Sequence, residues 1–261
     1  MREIRVAFDD ANAYERYMGR WSRAVGERFL AWLAPPEDAR WLDVGCGTGA
    51  FSQLVLARCK VKSLSGIDPS QAQIEHARAK LPDADLRVGD SMALPFNPNE
   101  FDVVASALVL HFIPNRSNAF AEMKRVSRSG GLVAGYTWAR TASDDFAPYE
   151  PMLRSLLKIG VEPMRSPTIP EQTADGLRNT AEAAGLSDVE IDHVEATQTF
   201  RDFEHFWDEQ TLAVSPVGKT VAKLNQAQAA QLRATLQATL PIAADGSITY
   251  SARAIAFKGR V

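Results

Sequence analysis

The sequence predicts an α/β protein with a mostly parallel sheet, and three observations predict it. Short apolar runs alternate with helix-period segments through the first half of the 261-residue chain, which is the pattern of strands joined by right-handed helical crossovers. Three of those runs end in an acid, at Asp43, Asp68 and Asp90. The first is followed by a glycine-rich turn, Gly45-Cys46-Gly47-Thr48-Gly49, that leads straight into a helical segment.

The elements follow in order. Asn12–Leu33 reads as one or two amphipathic helices. Then come strand Arg40–Val44, helix Ala50–Arg58, strand Val61–Ile67, helix Ser70–Lys80 with Pro69 at its start, and strand Asp85–Gly89. Phe101–Ala105 is a fourth strand, Asn118–Val126 a helix and Leu132–Thr137 a fifth strand. Residues 140–170 break the rhythm with several prolines and an apolar helical stretch at Met152–Ile159. Helix Glu171–Ala184 and strand Val189–Ala196 restore it. A second interruption spans residues 200–240, and ITYSARAIAFKGR, preceded by an Asp245-Gly246 turn, closes the chain as a strand. No repeat or flexible linker divides the sequence, so residues 1–261 read as a single domain with two interleaved cap insertions.

The turn suits a nucleotide. Gly45, Gly47 and Gly49 lack a Cβ, so the backbone can take positive φ and a ligand can lie against it, while the first free N–H groups of the next helix face the same place. Taken alone, Gly45 to Ala50 also satisfies the G-x-G-x-x-G/A fingerprint of dinucleotide enzymes. Ligands of open α/β sheets bind outside the carboxyl ends of the strands, so the three acids line one crevice. Asp68 is placed to accept from both ribose hydroxyls under either cofactor. Asp90 can accept from an exocyclic adenine amine while the Ser91 N–H donates to a ring nitrogen. Asp43 either caps the glycine turn or faces a ligand amine.

From Tyr14 to Trp138 the chain closely resembles the class I S-adenosyl-L-methionine (AdoMet) dependent methyltransferases, in particular small-molecule enzymes similar to those of ubiquinone and menaquinone biosynthesis. The residues that carry the resemblance are Asp43-Val44-Gly45-Cys46-Gly47-Thr48-Gly49, the acid of GIDPS at Asp68, Gly89-Asp90-Ser91-Met92-Ala93-Leu94-Pro95-Phe96, and the blocks Phe101–Asn115 and Arg125–Trp138. One departure is Ser129, where the family commonly has proline before paired glycines. The resemblance implies a Rossmann-like seven-stranded sheet of order 3-2-1-4-5-7-6 with its last strand antiparallel. It also implies AdoMet as cofactor, held by Asp43, Gly45, Cys46, Gly47, Gly49, Asp68, Pro69, Asp90, Ser91, Met92 and Ser106. An N-terminal helix closing over the methionine end would bring Tyr17 or Arg20 to the carboxylate. Tyr17 also shares a helical face with Tyr14 and Trp21, the spacing of a core stripe.

His111, just after the fourth strand, reads either as a general base for the acceptor or as a structural histidine. Both readings stay open here. The insertions leave strands five and six beside the crevice, as a substrate lid would, and with Trp138 just before the first of them they carry Phe146, Tyr149, Phe203, Phe206 and Trp207. These favour a small, apolar or aromatic methyl acceptor. Cys46 and Cys59 read as packing residues, and no histidine or cysteine spacing matches a metal site.

Composition narrows the classes. A net charge of −3 gives no basic footprint for nucleic acid. No stretch approaches the ~18 apolar residues of a membrane span, and the first residues lack the apolar core of a signal peptide. Two cysteines build no disulfide framework and fit a reducing, cytoplasmic setting. An NAD(P) oxidoreductase of the short-chain type would need Tyr-x-x-x-Lys, but Tyr136 is followed four residues later by Arg140. A nucleobase or amide methylating enzyme would need Asn/Asp-Pro-Pro-aromatic where Ser106-Ala107-Leu108-Val109 stands. A non-catalytic AdoMet-binding protein is the first alternative, because methyl transfer leaves no obligatory nucleophile to look for, and an NAD(P)-dependent Rossmann oxidoreductase stands behind it.

Overall fold

The computed structural model describes residues 11–140, 148–164 and 168–261, with side chains from residue 17 onward. Seven strands form one sheet: β1 Ala39–Val44, β2 Val61–Asp68, β3 Asp85–Val88, β4 Phe101–Ala107, β5 Ser127–Trp138, β6 Ser187–Phe200 and β7 Ile248–Arg260. Their order is β3-β2-β1-β4-β5-β7-β6. β1 to β5 pair in parallel and β7 runs antiparallel to both of its neighbours, as the family resemblance implies. The central strands are apolar on both faces because helices cover both. Trp41, Val103 and Ala134 belong to one core, and Leu42, Val104 and Val133 to the other.

The helices are α1 Ala11–Leu33, α2 Ala50–Arg58, α3 Gln71–Lys80, α4 Arg116–Val126, α5 Glu150–Lys158, α6 Ala174–Ala183, α7 Phe203–Gln210, α8 Pro216–Val221 and α9 Gln226–Thr239. Residues 11–33 form one continuous helix. Where boundaries differ from expectation, side chains decide them. α3 starts at Gln71 because Ser70 accepts the Gln73 N–H as its N-cap. α4 starts two residues early because Asn115 accepts from the Asn118 N–H at 3.1 Å. α6 starts at Ala174 rather than Glu171, because Thr173 caps it at the Gly176 N–H (3.1 Å) and Pro170–Gln172 form a separate 3-10 turn.

Two strands run longer than the sequence suggests. β5 begins at Ser127, which pairs with Phe101, and the register shifts before Val103 pairs with Leu132. β6 continues to Phe200 because Thr197 and Thr199 bond the hydroxyls of Ser251 and Thr249 across the pair, at 2.9 and 2.8 Å. A polar edge strand of this kind has little apolar alternation to signal it.

β5 and β6 point the same way, so both insertions leave the sheet at its carboxyl end. There they share one core of their own: Met152, Leu153 and Leu156 of α5, Phe203 and Phe206 of α7, Leu232 and Leu236 of α9, and Phe200 and Ile248 from the ends of β6 and β7. Among the described residues no helix is long and apolar enough to cross a membrane.

Candidate active site

The glycine turn joins β1 to α2, and its backbone is tied to the neighbouring strand. Gly45 and Cys46 both donate to the Ile67 carbonyl, at 2.7 and 3.0 Å. The three glycines then serve different ends. At Gly45 (φ 80°) a Cβ would lie 2.5 Å from the Val109 methyls, and at Gly49 one would lie 2.8 Å from Leu81, so protein packing excludes side chains at both. At Gly47 (φ 53°) a Cβ would meet only the Gln73 Oε1, at 3.7 Å. Open space over a positive-φ glycine at a helix N-terminus is what a ligand lying on the backbone requires.

Asp68, at the end of β2, belongs to the same unit. Its Oδ2 accepts the Gly47 N–H at 3.1 Å and its Oδ1 accepts the Ser70 N–H at 2.9 Å. Burial raises its carboxyl above the usual range, and these two hydrogen bonds oppose the shift. A carboxylate has about four acceptor positions, so two remain for paired hydroxyls.

Asp43 lies deeper, 1 % exposed. Its Oδ2 accepts from Ser52 Oγ at 2.6 Å, while Oδ1 is buried with no partner among the described residues. Burial pushes the carboxyl up to about 7, and the Asp68 charge adds to the rise against the Ser52 bonds. A buried, half-satisfied acid beside a second acid favours a cation, so the site fits an amine-bearing ligand.

The other expected residues occupy different environments. Asp90 is exposed, with Oδ1 accepting the Met92 N–H at 2.8 Å. Met92 and Ser91 are half-buried and Pro69 is exposed. Ser106, near the end of β4, is buried with its Oγ unpartnered. Cys46 packs among Ile74, Leu81 and Leu86. Burial and the nearby Asp43 and Asp68 raise its thiol far above the ordinary range, and such a thiol is inert. Tyr17 is buried in the main core, whereas the Arg20 side chain is exposed and its carbonyl accepts from Gln198 at 3.1 Å.

His111 sits in a 3-10 turn, Leu110–Phe112, after β4. Its Nδ1 is buried without a partner among the described residues, its ring packs on Phe112 at 3.9 Å, and burial together with the Arg140 charge lowers it to about 4. The imidazole is therefore neutral at neutral pH.

The cap aromatics divide. Trp138 is buried and edge-on to Trp21, with centroids 6.4 Å apart. Tyr149 is half-buried between the main core and the cap core. Phe206 has no exposed surface and Phe203 little, both inside the cap core. Contact between Phe206 and an acceptor would thus require the cap to open. Trp207 is half-buried under Arg233, whose guanidinium lies 4.7 Å from the ring. Phe146 lies outside the described residues. Sequence reasoning missed Ser52, Gln73 and Val109. The i, i+9 relation of Asp43 and Ser52 carries no motif, and Gln73 and Val109 are recognisable only once the turn is folded.

Among the described residues no group of three His, Cys, Asp or Glu side chains stands ready to hold a metal. The profile of the methyltransferase domain family matches residues 42–135, from β1 to β5. A malonyl-[acyl-carrier protein] O-methyltransferase of Geobacter sulfurreducens is 31% identical over 197 residues, covering 73% of this chain and 72% of that protein. A demethylmenaquinone methyltransferase of Roseiflexus castenholzii is 35% identical over 128 residues, covering 48% of this chain and 50% of that protein. The chain spans about half the length of several curated relatives it matches. In fold it is similar to the phosphoethanolamine N-methyltransferase 2 of Haemonchus contortus, with a TM-score of 0.59 at 17% identity over 99% of this chain and 59% of that one. Sheet order, glycine turn and relatives agree: the chain belongs to the class I S-adenosylmethionine-dependent methyltransferases.

Proposed function

We propose that this protein binds AdoMet across the ends of β1, β2 and β3 and transfers its methyl group to a small acceptor with a largely apolar or aromatic body. The observation that carries the cofactor reading is the Gly47–Asp68 unit, in which an open glycine backbone and a fixed carboxylate lie one hydrogen bond apart. Asp68 would hold the ribose hydroxyls, Asp90 with Ser91 and Met92 the adenine, and Asp43 the methionine amine, with Tyr17 and Arg20 on the side of α1. AdoMet supplies an electrophilic methyl on a sulfonium that departs as a neutral thioether.

The chain's own contribution is position. Near-attack alignment of two reactants is worth roughly 7–11 kcal/mol, so a dedicated acid–base pair is not obligatory for an acceptor that is already activated, whose proton has passed to solvent before the methyl moves. A histidine lowered to about 4 is a weak base, so in this reading His111 accepts a hydrogen bond from the acceptor rather than removing its proton. The apolar character of the acceptor is supported by the aromatic surroundings of α1, β5 and the cap. Relatives named for demethylmenaquinone and for malonyl-[acyl-carrier protein] differ in acceptor, so the acceptor is read from this chain's own residues. Incubation with methyl-labelled AdoMet and a small-molecule cell extract tests the activity. Label should move to a low-mass apolar product, and label remaining wholly in AdoMet would contradict the reading.

A further inference from the structure

The last residue of α7, Gln210, is 1 % exposed, and among the described residues neither its Oε1 nor its Nε2 has a hydrogen-bond partner. An amide buried in this way forfeits bonds it would make in water, at about 1–3 kcal/mol for each unsatisfied group. Its position is informative. One turn earlier, Phe206 is locked in the cap core. Just after it, Leu212 and Val214 pack against the main core, which holds Tyr17, Trp21, Leu108 and Trp138. Gln210 therefore lies in the seam where α7 of the cap meets α1, on the carboxyl side of the sheet from which β6 leads into the cap. The adjacent Glu209 is engaged with His205 at 3.0 Å.

We propose that Gln210 reads the methyl acceptor, its carboxamide donating to and accepting from a hydroxyl on an otherwise apolar or aromatic molecule seated in this seam. A hydroxyl answers both halves of the amide because it donates and accepts at once. The apolar neighbours on either side suit the body of the same molecule. The inference rests on the methyltransferase reading and deepens it, by naming the chemistry that selects the acceptor. A residue of this kind determines specificity. A site built to bond a hydroxyl discriminates strongly against the analogue lacking it, because its own buried groups are then left unpaired.

The test uses the full chain saturated with S-adenosylhomocysteine and titrated with α-naphthol and with naphthalene. The wild-type protein should bind α-naphthol about tenfold more tightly than naphthalene. Gln210→Met, which conserves volume, should erase that preference while leaving S-adenosylhomocysteine affinity unchanged and the ligand-free melting temperature equal or higher. Gln210→Asn, which keeps the amide but draws it back by one methylene, should retain a reduced preference and covers the case of a Met variant that does not fold. Equal affinity for the two probes in the wild type, no saturable binding of α-naphthol, or a preference that survives in Gln210→Met would overturn the proposal. Failure of S-adenosylhomocysteine to bind the wild type would strike the parent reading instead, so the two failures are distinguishable.

Discussion

Asp68 Oδ2 accepts the backbone N–H of Gly47 at 3.1 Å, so the acid that closes β2 and the middle glycine of the turn after β1 form one unit. The acid shapes the cradle as well as offering bonds to whatever lies in it. Gly45, two residues away, is closed off by Val109. Glycines of one motif therefore have separable jobs.

Substitution should separate them. Gly45→Ala places a methyl against Val109 and should destabilise the fold, and Val109→Ala should restore part of the loss in a double-mutant cycle. Gly47→Ala meets no such wall, so it should cost only the roughly 1–2 kcal/mol of a left-handed alanine while weakening AdoMet binding. Urea unfolding and titration on the same proteins check both halves. Rescue of Gly47→Ala affinity by Val109→Ala would contradict the division.

At the adenine end, Asp90 is exposed and bonds only its own turn through the Met92 N–H. Asp90→Ala should weaken AdoMet and S-adenosylhomocysteine equally, since both carry the same adenosine, and Asp90→Asn should do so less because one acceptor oxygen remains. Melting temperature should barely change. A loss confined to AdoMet would place Asp90 near the sulfonium and refute the assignment.

Asp43 predicts a pH dependence whose sign follows from its raised carboxyl. Its value stands at about 7 in the fold against 3.8 when unperturbed, so the folded state binds more protons between those values. Stability of the ligand-free protein should then fall as pH rises from about 4 to 7, by an amount of the order of a few kcal/mol. Asp43→Asn should flatten that decline. A cation at the site favours the ionised acid, so AdoMet affinity should rise through neutral pH in the wild type and stay level in Asp43→Asn. Calorimetric unfolding and titration across pH 5 to 8 measure both, and a wild-type stability that climbs over this range would contradict the account.

Most of the sheet was legible in the sequence because its inner strands are apolar runs bounded by Gly, Pro and Asp. The three acids were legible because each ends such a run. What was not legible depends on contacts between distant segments. The extension of β6 rests on threonine hydroxyls facing β7, and the late start of α6 rests on Thr173 capping it at the Gly176 N–H. The aromatic content of the insertions was visible, but not that Phe206 would be consumed by the cap's own core, since periodicity cannot say which partner covers a ring. Ser52 and Gln210 lie outside every motif. Their importance comes from burial beside a particular acid in one case and in a particular seam in the other.

The cap should behave as a separately opening layer. Phe206→Ala removes a fully buried ring and should cost roughly 3–5 kcal/mol, lost first in α5, α7 and α9. Hydrogen exchange with and without S-adenosylhomocysteine should show ligand-induced protection in the cap helices and in α1, beyond the direct contacts at the glycine turn. Unchanged fast exchange in all of these elements would rule out a lid.

The central claim is that the Gly47–Asp68 unit holds AdoMet, and calorimetric titration of AdoMet into the wild type and into Asp68→Ala tests it most directly. A charged acceptor of two hydroxyls is worth roughly 1.5–3 kcal/mol per bond. Saturable one-to-one binding to the wild type is therefore expected, weakened at least about tenfold in a folded Asp68→Ala protein, with NADH binding neither. Unchanged AdoMet affinity in Asp68→Ala, or saturable NADH binding to the wild type, would contradict the account.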